Sequence, residues 1–226
     1  MAAPSLLNVN ALTTISTLET ELGLTPGAQD VVLSQIINTQ SAFIESYCNR
    51  KFYYEADIVE NLRGFGTKFL HVARTPVVSI SSITFDGGTV ESGDYEIHNA
   101  DSGSIYSLGE WTWTTCAVPN LGQDPLPGSE RKLYQVTYTG GWVTPQQGVL
   151  PLVRNLPYDL EDACVMLCTW RYRWIGKDPT VKSETLMSAS QTFASTSATT
   201  GKDPLQAMMP GVWSILQRYK RAPIGT

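Results

Sequence analysis

KFLHVARTPVVSISSITFDGG, residues 68–88, reads as two β-strands that lead into a tight turn. Apolar and β-branched residues alternate on both sides of Thr75-Pro76, and such residues fit a pleated, half-buried surface. The proline separates the two halves because it removes a ladder donor and holds the preceding residue extended. Asp86-Gly87-Gly88 supplies the positive φ angles that a hairpin turn requires. The stretch therefore predicts a strand, a break, a second strand and a turn.

Helical patterns lie on either side of this β-rich stretch. Residues 11–21 repeat leucine and isoleucine at spacings of three and four, and Gly23 ends that pattern. Thr25-Pro26 resembles a helix cap followed by proline at the first helical position, and a long amphipathic pattern continues to about Arg50. Residues 157–174 form a second long pattern, with acidic residues first and arginines last, as the helix dipole favours. These two long helices are expected to pack on each other.

Residues 51–150 contain further short β-type runs at 57–62, 94–98, 104–108 and 133–138, separated by Gly, Asn, Asp and Pro. Residues 183–200 are mostly Ser, Thr and Ala, a composition that is typical of a flexible arm. A short amphipathic helix follows, with Val212, Ile215, Leu216 and Tyr219 on one face. The sequence thus predicts an α+β protein: an antiparallel α-helical bundle with an inserted antiparallel β-rich module and a flexible C-terminal arm ending in a short helix.

The predicted boundaries follow from these patterns. Residues 1–50 hold the N-terminal helices of the bundle, 51–150 the β-rich insert, 151–176 the third bundle helix, and 177–226 the arm and its C-terminal docking helix. The chain has no run of eighteen apolar residues and no signal-peptide pattern at its start, so we expect no membrane association and synthesis in a cytosol.

Charge is unevenly distributed along the chain. Residues 1–150 carry 7 Lys and Arg against 15 Asp and Glu, whereas residues 151–226 carry 9 against 6. An acidic body argues against a module that grips DNA, because neutralising phosphates needs clustered Lys and Arg. It is compatible with DNA that passes without being held.

Motifs for chemistry are missing from the sequence. It contains no nucleophile elbow, phosphate-binding loop, HExxH or CxxC pattern. Cys164 and Cys168 share a helix face and could supply two metal ligands, but buried free thiols are the favoured interpretation. The carboxylates of Asp159, Glu161 and Asp162 are interpreted as helix-capping charges rather than acid/base groups. We therefore predict no catalytic residues, no metal, no cofactor and no enzyme activity.

Aromatic residues leave one alternative open. Trp111, Trp113, Trp142 and Tyr106 could form a platform on which sugar rings or bases stack. Core or interface packing is the favoured interpretation, because aromatic residues dominate both.

Several stretches, in this order, resemble the head-tail connector (neck adaptor) family of tailed double-stranded-DNA bacteriophages. They are ALTTISTLETELGL (11–24), SAFIESYCNRKF (41–52), LHVARTPVVSISSITFDGG (70–88), DYEIHNADSGSIY (94–106), YQVTYTGGW (134–142), LPYDLEDAC (156–164) and YKRAP (219–223). The resemblance implies a structural virion protein at the head-tail interface of the virion, assembled in the host cytoplasm. It implies a homo-oligomeric ring, typically of twelve subunits, below the portal, which extends the DNA channel and offers an attachment surface to the stopper and tail proteins.

On this interpretation the partners are the portal protein, the stopper or tail-completion proteins, and double-stranded DNA that passes without sequence-specific binding. The C-terminal helix is predicted to dock on the portal, and deleting residues 203–226 is expected to abolish docking while leaving a folded protein. Two rival functions remain: another neck or tail-completion protein such as a stopper or terminator, or a carbohydrate-binding host-recognition module. The predicted portal-docking residues are Trp213, Leu216, Arg218, Tyr219, Lys220 and Arg221.

Overall fold

The computed structural model of the protein describes residues 6–112, 133–148, 152–175, 183–186, 189–192 and 203–221. The chain divides into two compact units. One comprises residues 1–49 and 144–226, and the other comprises residues 50–143. We call them the helical unit and the β unit.

The helical unit begins with two helices whose ends follow local capping chemistry. Helix α1, Ile15–Leu22, starts at Thr14, whose hydroxyl oxygen accepts from the Thr17 N–H, and ends at Gly23, which has a φ of 65°. Helix α2, Asp30–Cys48, ends at Asn49, also left-handed with a φ of 51°. The prediction that Thr25-Pro26 opens α2 is wrong, because the helix starts only at Asp30, after a turn.

Helix α3, Tyr158–Arg173, and helices α4, Pro204–Met208, and α5, Pro210–Tyr219, complete the described helices of this unit. Packing joins α2 with α3 and α5 with both of them. The fully or nearly fully buried apolar side chains of these helices form the core of the unit: Leu18, Leu33, Ile36, Ile37, Ile44, Cys48, Leu160, Ala163, Cys164, Leu167, Cys168, Val212 and Leu216. The predicted pairing of the two long helices is confirmed.

Two short strands lie within the segment that was predicted to be a flexible arm. Strands β8, Ser183–Leu186, and β9, Ala189–Thr192, pair antiparallel as a hairpin. Backbone pairing here was not visible in a Ser/Thr-rich sequence, and the remainder of the predicted arm, residues 193–200, lies outside the described residues.

Two antiparallel sheets make up the β unit. One has the strand order β1-β7-β3-β4 and the other β2-β6-β5. Their bounds are β1 Glu55–Leu62, β2 Thr67–His71, β3 Val77–Phe85, β4 Gly88–Thr89, β5 Tyr95–Asn99, β6 Ser104–Trp111 and β7 Tyr134–Gly140. The runs predicted at 57–62, 94–98, 104–108 and 133–138 are thus confirmed as strands.

The opening stretch divides between the two sheets. Strand β2 pairs with β6, whereas β3 pairs with β7 and, through the predicted turn, with β4. Asp86 and Gly87 at that turn have φ angles of 53° and 79°, as a tight hairpin requires. Pro76 therefore marks the point where the chain leaves one sheet for the other.

Side chains from both sheets form the core of the β unit: Leu70, Val72, Val77, Ile83, Ile105, Trp111, Tyr134, Val136 and Tyr138. The buried Tyr138 hydroxyl donates to a Glu60 carboxylate oxygen at 2.8 Å and accepts from the Arg74 N–H at 2.9 Å. Burial and the nearby Glu60 carboxylate raise the pKa of Tyr138 above its usual value. This polar network fixes the segment between β2 and β3 to β1 and β7.

The predicted fold class, an antiparallel α-helical bundle that carries an inserted β-rich module and ends in a flexible arm, is wrong. In the described ranges strands outnumber helices nine to five, and two antiparallel sheets with a core of their own dominate the architecture. The prediction gave the helices too large a share of the fold, because the apolar stripe of a helix can be recognised within one sequence segment. Strand pairing instead joins segments distant in sequence, such as β1 and β7, and leaves no local signature.

Candidate docking surface

The six residues predicted to dock on the portal belong to α5 and the two residues that follow it. Asp203 caps α4, where its carboxylate accepts from the Leu205 N–H at 2.9 Å. Pro204 occupies the first helical position, where a missing N–H costs nothing. Pro210 does the same for α5. Helix α4 therefore has a side-chain cap, whereas α5 begins at Pro210 without a side-chain cap hydrogen bond.

Apolar packing holds α5 within the helical unit. Leu216 is fully buried and Val212 is 1% exposed. The Leu216 carbonyl oxygen lies 3.7 Å from the Cys48 sulfur, and the Arg221 N–H donates to the Cys48 carbonyl oxygen at 2.9 Å. Leu216 is thus a core residue, and Arg221 joins the backbone of α5 to the end of α2.

A tyrosine on α2 forms the first polar anchor of this segment. The Tyr47 hydroxyl donates to the Asp203 carboxylate at 2.7 Å and accepts from the Gln217 side-chain amide at 2.9 Å. The Lys220 ammonium lies 4.7 Å from the centre of the Tyr47 ring. Burial and the hydrogen bond to Asp203 raise the pKa of Tyr47 to about 12, and the same bond lowers the pKa of Asp203. Both ends of the 203–221 segment therefore meet at Tyr47.

Asp159 in the first turn of α3 forms the second anchor. Its carboxylate accepts from the Tyr219 hydroxyl at 2.6 Å and lies 3.5 Å from the Arg218 guanidinium. A carboxylate at this position also complements the positive end of the helix dipole. The Arg218 side chain is 65% exposed, so this ion pair lies at the surface.

The structure thus divides the predicted docking residues into two groups. Leu216 is in the core, and the Tyr219 hydroxyl is committed to Asp159. Arg218 and Lys220 are exposed, and Trp213 is half-buried. The sequence reasoning missed Tyr47, Asp203 and Gln217 as the partners that hold the segment. Only Asp203-Pro204 carried a recognisable signal, that of a capped helix start.

The two cysteines that were considered as metal ligands lie in the core of the helical unit. The sulfurs of Cys164 and Cys168 are 4.0 Å apart and buried, with Cys164 also 3.8 Å from the Ser41 hydroxyl. Hydrogen bonding with Cys164 and burial raise the pKa of the Cys168 thiol, which keeps it protonated. Within the described ranges, no group of three or more His, Cys, Asp and Glu side chains is arranged to hold a metal ion.

Carboxylates at the start of α3 are engaged in packing contacts. Glu161 accepts from the Thr13 hydroxyl at 3.1 Å and from the Arg154 guanidinium, which stacks on the Tyr158 ring at 4.1 Å. The Thr13 hydrogen bond joins α3 to the residues that precede α1, and the Arg154 ion pair joins α3 to the chain that leads into it.

The three described members of the proposed aromatic platform lie in separate environments. Trp111 is 2% exposed and belongs to the core of the β unit. Trp142 stacks on Phe52 at 5.8 Å with the Arg50 guanidinium over its ring. Tyr106 contacts other aromatic residues of its own sheet, and Trp113 lies outside the described residues.

Among helices of the described residues, none is long and apolar enough to cross a membrane. No protein-family model matches the sequence. A comparison with curated proteins likewise gave no match.

Solved structures that share the fold come from gene transfer agent (GTA) particles. A chain in the neck of an empty GTA particle, computed with C6 symmetry, has a TM-score of 0.52 and 13% identity, covering 100% of this chain and 95% of that chain. A chain in the virion of the native GTA particle has a TM-score of 0.53 and 13% identity, with the same coverages. A chain in the neck of the native particle, computed with C12 symmetry, has a TM-score of 0.51 and 14% identity, covering 100% and 94%. The chain therefore shares the fold of these chains from GTA particles.

Proposed function

We propose that the protein is a structural neck protein of a virion, and specifically a head-tail connector that forms a ring below the portal. The observation that supports this most is the fold similarity over the whole chain, at 100% coverage, to chains from neck structures with C6 and C12 symmetry. In this role the ring extends the DNA channel and gives the stopper and tail proteins their attachment surface. A structural role is consistent with the polar side chains around α3 and α5, because they form hydrogen bonds and ion pairs that hold the fold together.

Charge supports a channel that DNA crosses without adhering. Residues 1–150 carry 15 acidic against 7 basic side chains, and a wall of this sign repels phosphates. A twelve-fold ring repeats that charge around the axis. We expect the isolated protein to show no measurable affinity for double-stranded DNA at moderate salt. Filter binding or fluorescence anisotropy measures this affinity.

Electron microscopy of the purified protein, alone and mixed with rings of its portal protein, tests the proposal. The expected result is a ring, with twelve subunits, stacked coaxially on the portal. Particles that ignore the portal under all conditions would refute a connector role. A carbohydrate-binding protein would instead bind glycans as a monomer or trimer. Trp111, which is 2% exposed, is buried and cannot contribute to such a binding platform.

We further propose that the 203–221 segment contacts the portal through the predicted docking residues that are not in the core: Trp213, Arg218, Tyr219, Lys220 and Arg221. Deleting 203–226 is not a clean test, because it would strip Val212 and Leu216 from the core. The expectation that such a deletion leaves the fold intact is therefore withdrawn.

The sharper variant is Lys220→Glu, which reverses an exposed charge while α5 keeps its buried side chains. Because Lys220 also lies over the Tyr47 ring, circular dichroism and the melting temperature check that the variant remains folded. We expect portal affinity to fall by about tenfold, the size of effect that ~1.4 kcal/mol at a charged interface produces. Arg63→Glu is the matched control, because Arg63 is exposed and lies in the β unit. Equal portal affinities for the two variants, measured by surface-immobilised binding, would rule out this docking surface.

A further inference from the structure

An exposed aromatic face covers one side of the three-stranded sheet β2-β6-β5. Phe69, Tyr106 and Glu96 lie in one row across the three strands, since Phe69 and Glu96 are both register partners of Tyr106. Leu108 follows Tyr106 on the same side, because side chains two apart on a strand share a face. The exposed Glu110 lies two residues further along β6, where the register of the β2–β6 pair shifts. We call Phe69, Glu96, His98, Tyr106, Leu108 and Glu110 the outer face.

The rings of this face contact one another at the surface. The Phe69 ring centroid lies 5.2 Å from that of His98 and 5.5 Å from that of Tyr106. Phe69 is 40% exposed and Leu108 is 66% exposed. The Lys68 ammonium lies 5.7 Å from the centre of the Tyr106 ring, at the margin of the cluster. Clustered exposed apolar side chains of this kind are typical of an interaction surface.

The chain segment that contains β5 and β6 is acidic. Residues 89–112 contain five carboxylates and no Lys or Arg. All five of these acidic residues are exposed. Glu96 and Glu110 make no ion pair with any residue in the described part of the chain. The outer face thus presents apolar rings beside carboxylates that lack a counter-charge there.

The opposite combination occurs at the end of α3 in the helical unit. Arg171 and Arg173 are exposed and, within the described ranges, form no ion pair. Ile175 beside them is 51% exposed, and the rings of Trp170 and Trp174 lie 5.8 Å apart. We call Trp170, Arg171, Arg173, Trp174 and Ile175 the α3 end. It offers apolar surface and positive charge where the outer face offers apolar surface and negative charge.

We infer that the outer face of one copy binds the α3 end of a neighbouring copy. Two different, complementary patches on one chain make a head-to-tail contact, and a contact of this type closes into a ring when its rotation permits. Arginine suits the site because its guanidinium pairs with carboxylates and stacks on aromatic rings. The inference rests on the proposed ring and identifies the contact between its subunits.

A charge-swap experiment on the full-length protein tests this contact. The variants are Glu96→Lys/Glu110→Lys, Arg171→Glu/Arg173→Glu, and the two pairs combined. Self-association is measured by sedimentation velocity at low and high salt. We expect either pair alone to weaken association by at least about tenfold, because like charges then face each other, and the combination to restore it to within about threefold of wild type.

The matched control for Glu96→Lys/Glu110→Lys is Glu21→Lys/Asp162→Lys, which makes the same change in net charge as that pair at two exposed carboxylates outside both patches. Its association should equal that of wild type, and circular dichroism checks that every variant is folded. Reversals that leave association unchanged, or a combination that fails to restore it, would overturn the inference. A wild type that remains monomeric at high concentration would overturn it as well. If that monomer still joins portal rings, the connector function stands without this contact.

Discussion

Replacing Leu216 by alanine distinguishes a core residue from a docking residue. Leu216 is fully buried in α5, and this substitution removes three carbon atoms from a packed site. At about 0.8 kcal/mol for each buried carbon group, the transfer contribution alone is about 2.4 kcal/mol. The cavity left behind raises the expected loss of unfolding free energy to about 3–5 kcal/mol.

Urea unfolding followed by tryptophan fluorescence measures this loss, since Trp213 lies one turn away on α5. Met208→Ala is the control, because Met208 is 42% exposed and should lose less than about 1 kcal/mol. If Leu216→Ala lost as little as the control, Leu216 would not be in the core. Its side chain would then be available for portal docking, and the assignment of Leu216 to the core rather than to the docking surface would be wrong.

Three further predictions concern buried polar groups. Tyr138→Phe should lower the unfolding free energy by about 2–4 kcal/mol, because it removes the hydroxyl that donates to the Glu60 carboxylate. Denaturant unfolding measures this loss, and a loss below ~0.5 kcal/mol would contradict the network. The raised pKa of Tyr47, about 12, means that its contribution to stability is fully present below the usual tyrosine pKa of about 10 and is lost as the pH rises from there towards 12. Comparing the melting temperatures of wild type and Tyr47→Phe across that range should show the difference shrinking, and a constant difference would contradict the Asp203 contact. A Cys116→Ser variant should react with a thiol reagent only after denaturation, because its three remaining cysteines are buried; rapid labelling of the native variant would show that they are accessible.

Local signals in the sequence identified most elements of the fold. The alternation in 68–88 and the Asp86-Gly87 turn predicted β2, β3 and the hairpin to β4 because these features depend on neighbouring residues. Helix α3 was recognisable from its stripe and charge order. The start of α2 was misplaced, because a Thr-Pro pair occurs in turns as well as at helix starts.

The candidate docking surface was only partly predictable. The basic residues Arg218 and Lys220 were identified from composition and are exposed. The role of Leu216 was not, because an amphipathic helix looks the same whether its apolar face meets its own chain or a partner. Tyr47 and Asp159 lie far from α5 in sequence, and only the folded chain brings them to it.

The sequence by itself determined most of the strands and helices, the hairpin turn at Asp86-Gly87, and that residues 1–150 are acidic. Those properties are set by each residue and its near neighbours. The tertiary structure decided that β2 and β3 enter different sheets, and that the sheets rather than the helices dominate the fold. It also decided that α5 is anchored at Tyr47 and Asp159. These outcomes depend on burial and pairing between distant segments, which the order of residues along the chain does not display.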